Sequence, residues 1–125
     1  MKVIHVITDL DIGGAEMMLY KLLASLRNNE IESLVITLMG RGKITERIEA
    51  LGVKVETLDL EQGARPSWNT IKKLKRIVRI SNPDIIQGWM YHGNIAATVA
   101  VFLFDPMRRK VKLFWNVRQT LYDIN

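Results

Sequence analysis

Short apolar runs rich in β-branched residues alternate along this chain with longer segments whose apolar residues recur at helical spacing. Residues 3–7 have the pattern of a strand buried on both faces, and leucines and methionines follow at helical spacing over 15–26. The same patterns predict further strands at 32–39, 53–58, from 85 onward and at 110–117, and further helices at 45–51, 66–80 and 94–104. The predicted order is β-α-β-α-β-α-β-α-β.

Every predicted connection between strands contains a helix and is too long for a hairpin. Strict alternation of this kind favours a parallel sheet covered by helices on both faces, a Rossmann-like α/β fold of about five strands. The fifth predicted strand runs into residues 119–125 without a covering helix. We therefore expect residues 1–125 to form part of one domain of a larger protein.

Composition excludes several classes of protein. The chain has no cysteine, which rules out disulfides and thiolate metal sites, and its two histidines, His5 and His92, are too far apart in sequence to suggest a metal site. The N-terminus lacks the features of a signal peptide, and the longest apolar run, 95–104, is about half of a bilayer span. We expect a cytoplasmic protein that needs no metal.

Positive charge is concentrated in the second half of the chain. Residues 65–125 hold 11 Lys/Arg against 3 Asp/Glu, a net charge of +8, whereas residues 1–64 have a net charge of −3 (7 against 10). Five cations fall on the predicted helix 66–80, namely Lys72, Lys73, Lys75, Arg76 and Arg79. This helix could meet an anionic membrane surface or simply face water. No motif for nucleic-acid binding accompanies the charge, and we expect no nucleic-acid partner.

Ligands of open parallel sheets bind at the carboxyl ends of the strands. After strand one, Gly13 and Gly14 stand where the strand gives way to a helix, so the backbone could approach a phosphate at the helix N-terminus. The spacing fits neither the dinucleotide-binding fingerprint nor the P-loop. A tight turn without a ligand explains the two glycines equally well.

Two further segments reach the same predicted edge. The stretch 87–94, expected to be a loop after strand four, contains Trp89, Tyr91, His92 and Asn94. His92 could orient a hydroxyl group or act as a base, or it could cap the following helix. Arg118 follows strand five and could pair with a phosphate, a carboxylate or a surface acid. No paired carboxylates or serine-elbow pattern identify a catalytic centre, so the catalytic residues are left unassigned.

The chain resembles the N-terminal domain of family-four glycosyltransferases, which have the two-domain GT-B fold. The resemblance rests on Gly13-Gly14-Ala15-Glu16 after the first strand, and on the segment from Asn82-Pro83-Asp84 through Gln87-Gly88-Trp89-Met90-Tyr91-His92-Gly93-Asn94. It implies transfer of a sugar, such as a hexose, from a UDP- or GDP-sugar to a glycan or lipid-linked acceptor. Retention of configuration, no metal and no cofactor beyond the donor are implied as well.

The resemblance also assigns expected roles. Gly13 and Gly14 would approach the donor diphosphate or the acceptor, and Trp89, Tyr91, His92, Asn94 and Arg118 would line the acceptor side of the cleft. Two departures accompany it. Arg118 stands where many members carry a histidine, and the donor-binding domain with its Glu-(seven residues)-Glu motif has no counterpart in these 125 residues. We therefore expect the chain alone to be inactive.

The implied setting is cell-surface polysaccharide, lipopolysaccharide or glycolipid synthesis, with the enzyme peripheral at the inner face of the membrane. The alternative is a non-catalytic Rossmann-like module that binds a nucleotide or sugar. A receiver or flavodoxin-like domain fits less well, because a receiver needs an aspartate closing strand three and Asp59 comes after that strand.

Overall fold

A computed structural model of the chain describes residues 1–10, 14–26, 30–60, 67–105 and 111–115. Within these ranges five strands alternate with four helices, in the predicted order. The elements are β1 (Lys2–Ile7), α1 (Gly14–Leu26), β2 (Glu32–Thr37), α2 (Thr45–Glu49), β3 (Lys54–Thr57), α3 (Trp68–Ser81), β4 (Ile85–Trp89), α4 (Met90–Phe104) and β5 (Lys112–Trp115). The Rossmann-like α/β class is confirmed.

The five strands form one parallel sheet in the order β3-β2-β1-β4-β5. Strand β1 lies at the centre, where Ile4 pairs with Leu34 of β2 on one side and with Ile86 of β4 on the other. A central strand is covered on both faces, which explains why residues 3–7 are all buried and why their sequence is a continuous run rather than an alternation.

Two hydrophobic clusters cover the two faces of the sheet. On one face Leu19 and Leu23 of α1 and Ile48 of α2 pack with Ile7 and Val35. The other face is covered by α3 and α4, which contact each other there. The residues of that second cluster include Ile4, Val6, Leu74, Val78, Ala97, Ala100 and Val101. The predicted arrangement, with helices on both faces, is therefore confirmed.

Local signals in the sequence explain where several elements begin and end. Helix α3 begins at Trp68, two residues after the predicted start, because the Ser67 hydroxyl accepts a hydrogen bond from the Thr70 backbone N–H and caps the helix. Asn82 ends α3 in the left-handed conformation (φ 51°). After α2, Gly52 adopts φ 89°, as expected of a glycine that follows a helix.

The prediction of a loop at residues 87–94 is wrong. Strand β4 continues to Trp89, and α4 begins at the next residue, Met90, four residues before the predicted start. Met90 has φ 66°, and this left-handed conformation turns the strand into the helix without intervening residues. A left-handed conformation costs a residue with a side chain roughly 1–2 kcal/mol, so residue-type preference gave no hint of it.

The Asn82-Pro83-Asp84 segment, which carries part of the family resemblance, lies at the amino ends of the strands. The Asp84 carboxylate accepts the Lys2 backbone N–H at 2.9 Å, and the Asp84 N–H donates to the Lys2 carbonyl at 2.8 Å. The Asp84 carbonyl in turn accepts the Lys112 N–H at 3.0 Å. One residue thus ties β1, β4 and β5 together at the edge opposite the expected ligand site.

Candidate functional site

The winding of the sheet reverses between β1 and β4. The chain moves from β1 outward to β2 and β3, then returns across the sheet to β4 on the other side of β1. Ile7 and Trp89, the last residues of the two strands, are register partners. The segments that follow β1 and β4 therefore leave the sheet side by side, at the point where open α/β sheets bind ligands.

The segment after β1 is held by the neighbouring strand. The Leu38 and Met39 N–H groups donate to the carbonyls of Ile7 and Thr8 at 3.0 and 3.1 Å, and the Thr37 hydroxyl also donates to the Thr8 carbonyl. Leu10 is fully buried, and its carbonyl accepts the N–H of Ile44 just before α2. The backbone of residues 8–10 is thus fixed by contacts on the β2 side.

The start of α4 lies directly against the ends of β1 and β4. A Cβ added at Gly93 would be 2.7 Å from the Val6 carbonyl oxygen, and one at Gly88 would be 2.6 Å from the Asn94 Cα. Such separations are far below normal carbon contact distances, so only glycine allows this approach. Together with the turn at Met90, the two glycines place the first turn of α4 at the crossover. The first N–H groups of a helix have no partner within the helix itself.

Below this edge a buried histidine supports the end of β4. The Trp89 indole Nε1–H donates to His5 Nδ1 at 3.1 Å, and both side chains are at most 3% exposed. Burial lowers the pKa of His5 to about 4, so the ring is neutral at pH 7, and it carries its proton on Nε2 because Nδ1 accepts. In the described part of the chain Nε2 has no hydrogen-bond partner. His5 is therefore a buried, hydrogen-bonded residue of the core.

The residues expected at the site reach different positions. Gly14 is the first residue of α1 and has open space around its Cα, whereas Trp89 packs in the core beneath the edge instead of lining an open cleft. Asn94 lies in α4, with its backbone against Gly88. The other predicted site residues lie outside the described part, either wholly (Gly13 and Arg118) or in their side chains (Tyr91 and His92).

Two residues at this edge were not singled out from the sequence. Thr8 follows β1, and its buried hydroxyl oxygen has no hydrogen-bond partner among the described residues. Met90 is the left-handed residue between β4 and α4. A threonine closing an apolar strand that precedes a glycine pair is a signal that could have identified Thr8, whereas nothing in the residue type of Met90 indicates its conformation.

The cations of α3 do not share one environment. The Lys73 ammonium group donates to the Thr57 carbonyl at the end of β3, which places this side chain on the inner flank of the helix. Lys72, Lys75, Arg76 and Arg79 are exposed, and Lys72 lies 6.0 Å from the centroid of the Trp68 ring. Four of the five predicted cations therefore project from the outer surface of α3.

Among the described residues, no group of three or more His, Cys, Asp or Glu side chains could hold a metal ion. No helix in the same part of the chain is long and apolar enough to cross a membrane.

The strand order, the direct passage from β4 into α4 and the glycines at the crossover define a Rossmann-like domain whose candidate ligand edge lies between β1 and β4. The sequence profile of Glycosyltransferase Family 4 matches residues 12–121, nearly the whole chain. The chain therefore belongs to glycosyltransferase family 4, as the resemblance of its motifs predicts. A comparison with curated proteins found no match.

Among solved structures, the chain is similar to the crystal structure of GalB, the 4-carboxy-2-hydroxymuconate hydratase from Pseudomonas putida KT2440. The match has a TM-score of 0.54 and 17% sequence identity, and it covers 82% of this chain. It covers 55% of the GalB chain, so the present chain spans about half the length of that relative. At this level of identity the likeness concerns the fold alone.

Proposed function

We propose that the chain is the acceptor-side domain of a retaining glycosyltransferase that moves a sugar, such as a hexose, from a UDP- or GDP-sugar to a glycan or lipid-linked acceptor. Membership in family 4 supports sugar transfer. The observation that carries the site assignment is the pairing of β1 with β4, whose following segments meet at the crossover with Gly14 and Gly93 at the helix starts.

The chemistry of this edge is that of a binding surface. Backbone N–H groups at the start of α4 can donate hydrogen bonds to sugar hydroxyls or to a phosphate oxygen, and the Thr8 hydroxyl, buried without a partner among the described residues, lies at the same edge. Backbone hydrogen bonds fix most of residues 8–10, and α4 packs closely against β1. The positions of these groups are therefore set without a ligand. Fixed donors that lose little freedom on binding favour selective recognition of an acceptor.

The donor side is assigned to a second domain outside these 125 residues. The sequence contains no Glu-(seven residues)-Glu segment, and a departing nucleoside diphosphate must be positioned and its charge stabilised for transfer to be fast. We expect Gly13, Gly14, Tyr91, His92, Asn94 and Arg118 to face the resulting cleft, and no metal to be required. The setting that fits is cytoplasmic synthesis of a cell-surface polysaccharide, lipopolysaccharide or glycolipid.

Two measurements on the purified chain test this proposal. Incubation with UDP- and GDP-sugars and a polyprenyl-phosphate-linked sugar should yield no transferred product, because the donor-side groups are absent. Saturation-transfer NMR should nevertheless detect binding of short glycans or of a water-soluble analogue of the lipid-linked sugar. Thr8→Val, which removes the hydroxyl and keeps the shape, should weaken this binding, whereas the matched control Thr57→Val at the end of β3 should leave it unchanged.

The outcomes separate the proposal from its alternative. Binding of a free nucleotide or nucleotide sugar without any glycan binding would favour a non-catalytic nucleotide-binding module. Sugar transfer by the isolated chain would contradict the assignment of the donor side to another domain. Equal effects of Thr8→Val and Thr57→Val would contradict the placement of the site at the crossover of β1 and β4.

A further inference from the structure

A buried carboxylate lies in the first turn of α1. Of the acidic side chains in the described ranges, Glu16 alone is buried, with 5% of its surface exposed. Glutamate is rarely buried in proteins, because the removal of a charged group from water is costly. Glu16 is the last residue of the Gly13-Gly14-Ala15-Glu16 segment, which carries part of the family resemblance.

The geometry of α1 turns Glu16 towards the sheet. The buried residues of α1 are Glu16, Leu19 and Leu23, and their spacing of three and four residues places them in one stripe. Leu19 and Leu23 pack in the cluster that also contains Ile7 and Trp89, the last residues of β1 and β4. A carboxylate therefore occupies a position of this stripe that an apolar side chain would normally fill.

The first turn of α1 lies at the edge that holds the candidate site. In β-α units the helix begins at the carboxyl end of the preceding strand, and β1 ends beside β4 at the crossover. Glu16 is one helical turn nearer the start of α1 than Leu19, which belongs to the core. The carboxylate thus stands between the core and the crossover.

A second buried polar group lies beneath the same edge and on the same face of the sheet. His5 is 1% exposed, and its register partner Val35 belongs to the cluster that α1 covers. Side chains stand roughly perpendicular to a sheet, so Nε2, the ring nitrogen farther from the backbone, points towards the layer of α1. This Nε2–H has no hydrogen-bond partner in the described part of the chain. A donor on β1 and an acceptor on α1 together complement hydroxyl groups, which both donate and accept.

Helix capping does not account for the burial of Glu16. Glutamate in the third position of a helix can accept a backbone N–H at the helix start, and its charge interacts favourably with the helix dipole. An exposed side chain achieves the same, as Glu46 does in the first turn of α2. Glu16 has an interaction partner within the protein. Because a carboxylate offers about four acceptor positions, it can accept a hydrogen bond from a ligand as well.

We propose that the Glu16 carboxylate accepts a hydrogen bond from a hydroxyl group of the acceptor sugar and so determines which acceptor binds at the crossover. The inference rests on the proposed function, because it takes the ligand of this edge to be a sugar acceptor. A site built to bind a hydroxyl group rejects analogues that lack it, since its buried polar group is then left unsatisfied. A phosphate or carboxylate in the same place would be repelled by the charge of Glu16.

The test begins with an NMR screen of the 125-residue chain against the methyl glycosides of glucose, galactose, mannose and N-acetylglucosamine. The sugar that shifts the amide signals of residues 8–10 and of the first turn of α4 is used further. Glu16→Gln keeps the size and a capping oxygen but removes the charge, so it should weaken binding of this sugar about tenfold. The matched control Glu46→Gln removes the same charge from the exposed first turn of α2 and should change binding by less than about twofold.

Deoxy analogues of the same sugar distinguish a direct contact from a structural effect. The analogue that lacks the contacted hydroxyl should bind the natural chain about tenfold more weakly than the parent sugar. In Glu16→Gln the same comparison should give a loss of about threefold or less, because the hydroxyl and the carboxylate are coupled. A role of Glu16 in the structure of α1 alone would leave the two losses equal.

One further measurement needs no variant. In the natural chain labelled with ¹³C, the signal of the Glu16 side-chain carboxyl carbon should shift as the sugar is added, and the corresponding signal of Glu46 should stay in place. Circular dichroism shows whether Glu16→Gln is folded. The carboxyl signal tests the contact even where that variant fails to fold.

The outcomes distinguish this inference from the proposed function. Sugar binding at the crossover with equal affinities of Glu16→Gln and Glu46→Gln, equal deoxy losses and an unshifted Glu16 carboxyl signal would overturn the role of Glu16 and leave the proposed function intact. Binding of inorganic phosphate at the crossover that Glu16→Gln strengthens, without sugar binding, would assign this edge to an anion and overturn both. Absence of any sugar binding at the crossover would contradict the proposed function, and the role of Glu16 would fall with it.

Discussion

Replacement of Gly93 by alanine tests how closely α4 must approach the sheet. The new Cβ would lie 2.7 Å from the Val6 carbonyl oxygen and 3.2 Å from the Ile7 Cα, both backbone atoms of the central strand that cannot rotate away. Overpacking costs about 1–3 kcal/mol, and a rigid neighbour favours the upper end of that range. Alanine recovers about 1 kcal/mol through its better helix propensity. We expect a net destabilisation of about 2 kcal/mol.

Urea unfolding followed by circular dichroism measures this difference, and thermal unfolding should show a fall in Tm of roughly 8 °C for a chain of this size. The matched control is Gly14→Ala at the start of α1, where an added Cβ meets nothing within 4 Å. Alanine there should leave stability unchanged or raise it by up to about 0.5 kcal/mol. A Gly93→Ala variant as stable as the natural chain would refute the close packing of α4 on β1.

A double variant adds a second check on the same contact. Gly88→Ala would place a Cβ 2.6 Å from the Asn94 Cα, so it should also destabilise the fold. If α4 moves away from the sheet to relieve one clash, the second clash costs less. The Gly88→Ala/Gly93→Ala double variant should then be destabilised by less than the sum of the two single variants. Strict additivity would mean that each clash is relieved by a separate local shift.

Three smaller predictions follow from single contacts. Burial lowers the pKa of His5 from 6.5 to about 4, so the unfolded chain is protonated at a higher pH than the folded chain. The free energy of unfolding should therefore fall by up to about 3 kcal/mol as the pH drops from 6.5 towards 4. In His5→Gln the urea midpoint should depend less on pH across this range, and an equal pH dependence in both chains would contradict the buried neutral ring. Ser67→Ala removes the cap of α3 and should lower the free energy of unfolding by about 1 kcal/mol. Ser67→Asp keeps a capping oxygen and should retain most of the stability of the natural chain. Equal stability of all three chains in urea would show that the cap is dispensable. Asp84→Ala removes the acceptor of the Lys2 N–H and should lower the free energy of unfolding by about 1 kcal/mol in urea. Asp84→Asn keeps an acceptor oxygen and should cost less, and equal losses in the two variants would show that the charge rather than this hydrogen bond matters.

The fold was accessible from the sequence because its signals are local and repeated. The buried run of β1, the helical spacing in α1 and the turn residues Gly52 and Asn82 each determine their own segment. Helix crossovers between such strands leave few arrangements other than a parallel sheet. The boundary of α3 was missed by two residues, because Pro66 and Ser67 are both good starting residues and only the hydrogen bond to Thr70 decides between them.

The site was less accessible because it depends on contacts between distant segments. The abrupt change from β4 to α4 depends on a left-handed Met90, a conformation that its residue type disfavours. It also depends on Gly88 and Gly93, whose role is visible only when β1 lies beside α4. The family resemblance placed Trp89 on the acceptor side of the cleft. Side chains alternate between the two faces of a strand, and in β4 this alternation turns Trp89 towards His5 and the core.

We propose that the chain binds an acceptor at the crossover of β1 and β4. The most direct measurement is a titration of the ¹⁵N-labelled chain with a soluble lipid-linked sugar analogue, read as amide shift changes. We expect the largest changes at residues 8–10 and at the first turn of α4, with little change around Asp84 at the opposite edge. Changes confined to the Asp84 edge, or none at saturating ligand, would contradict it.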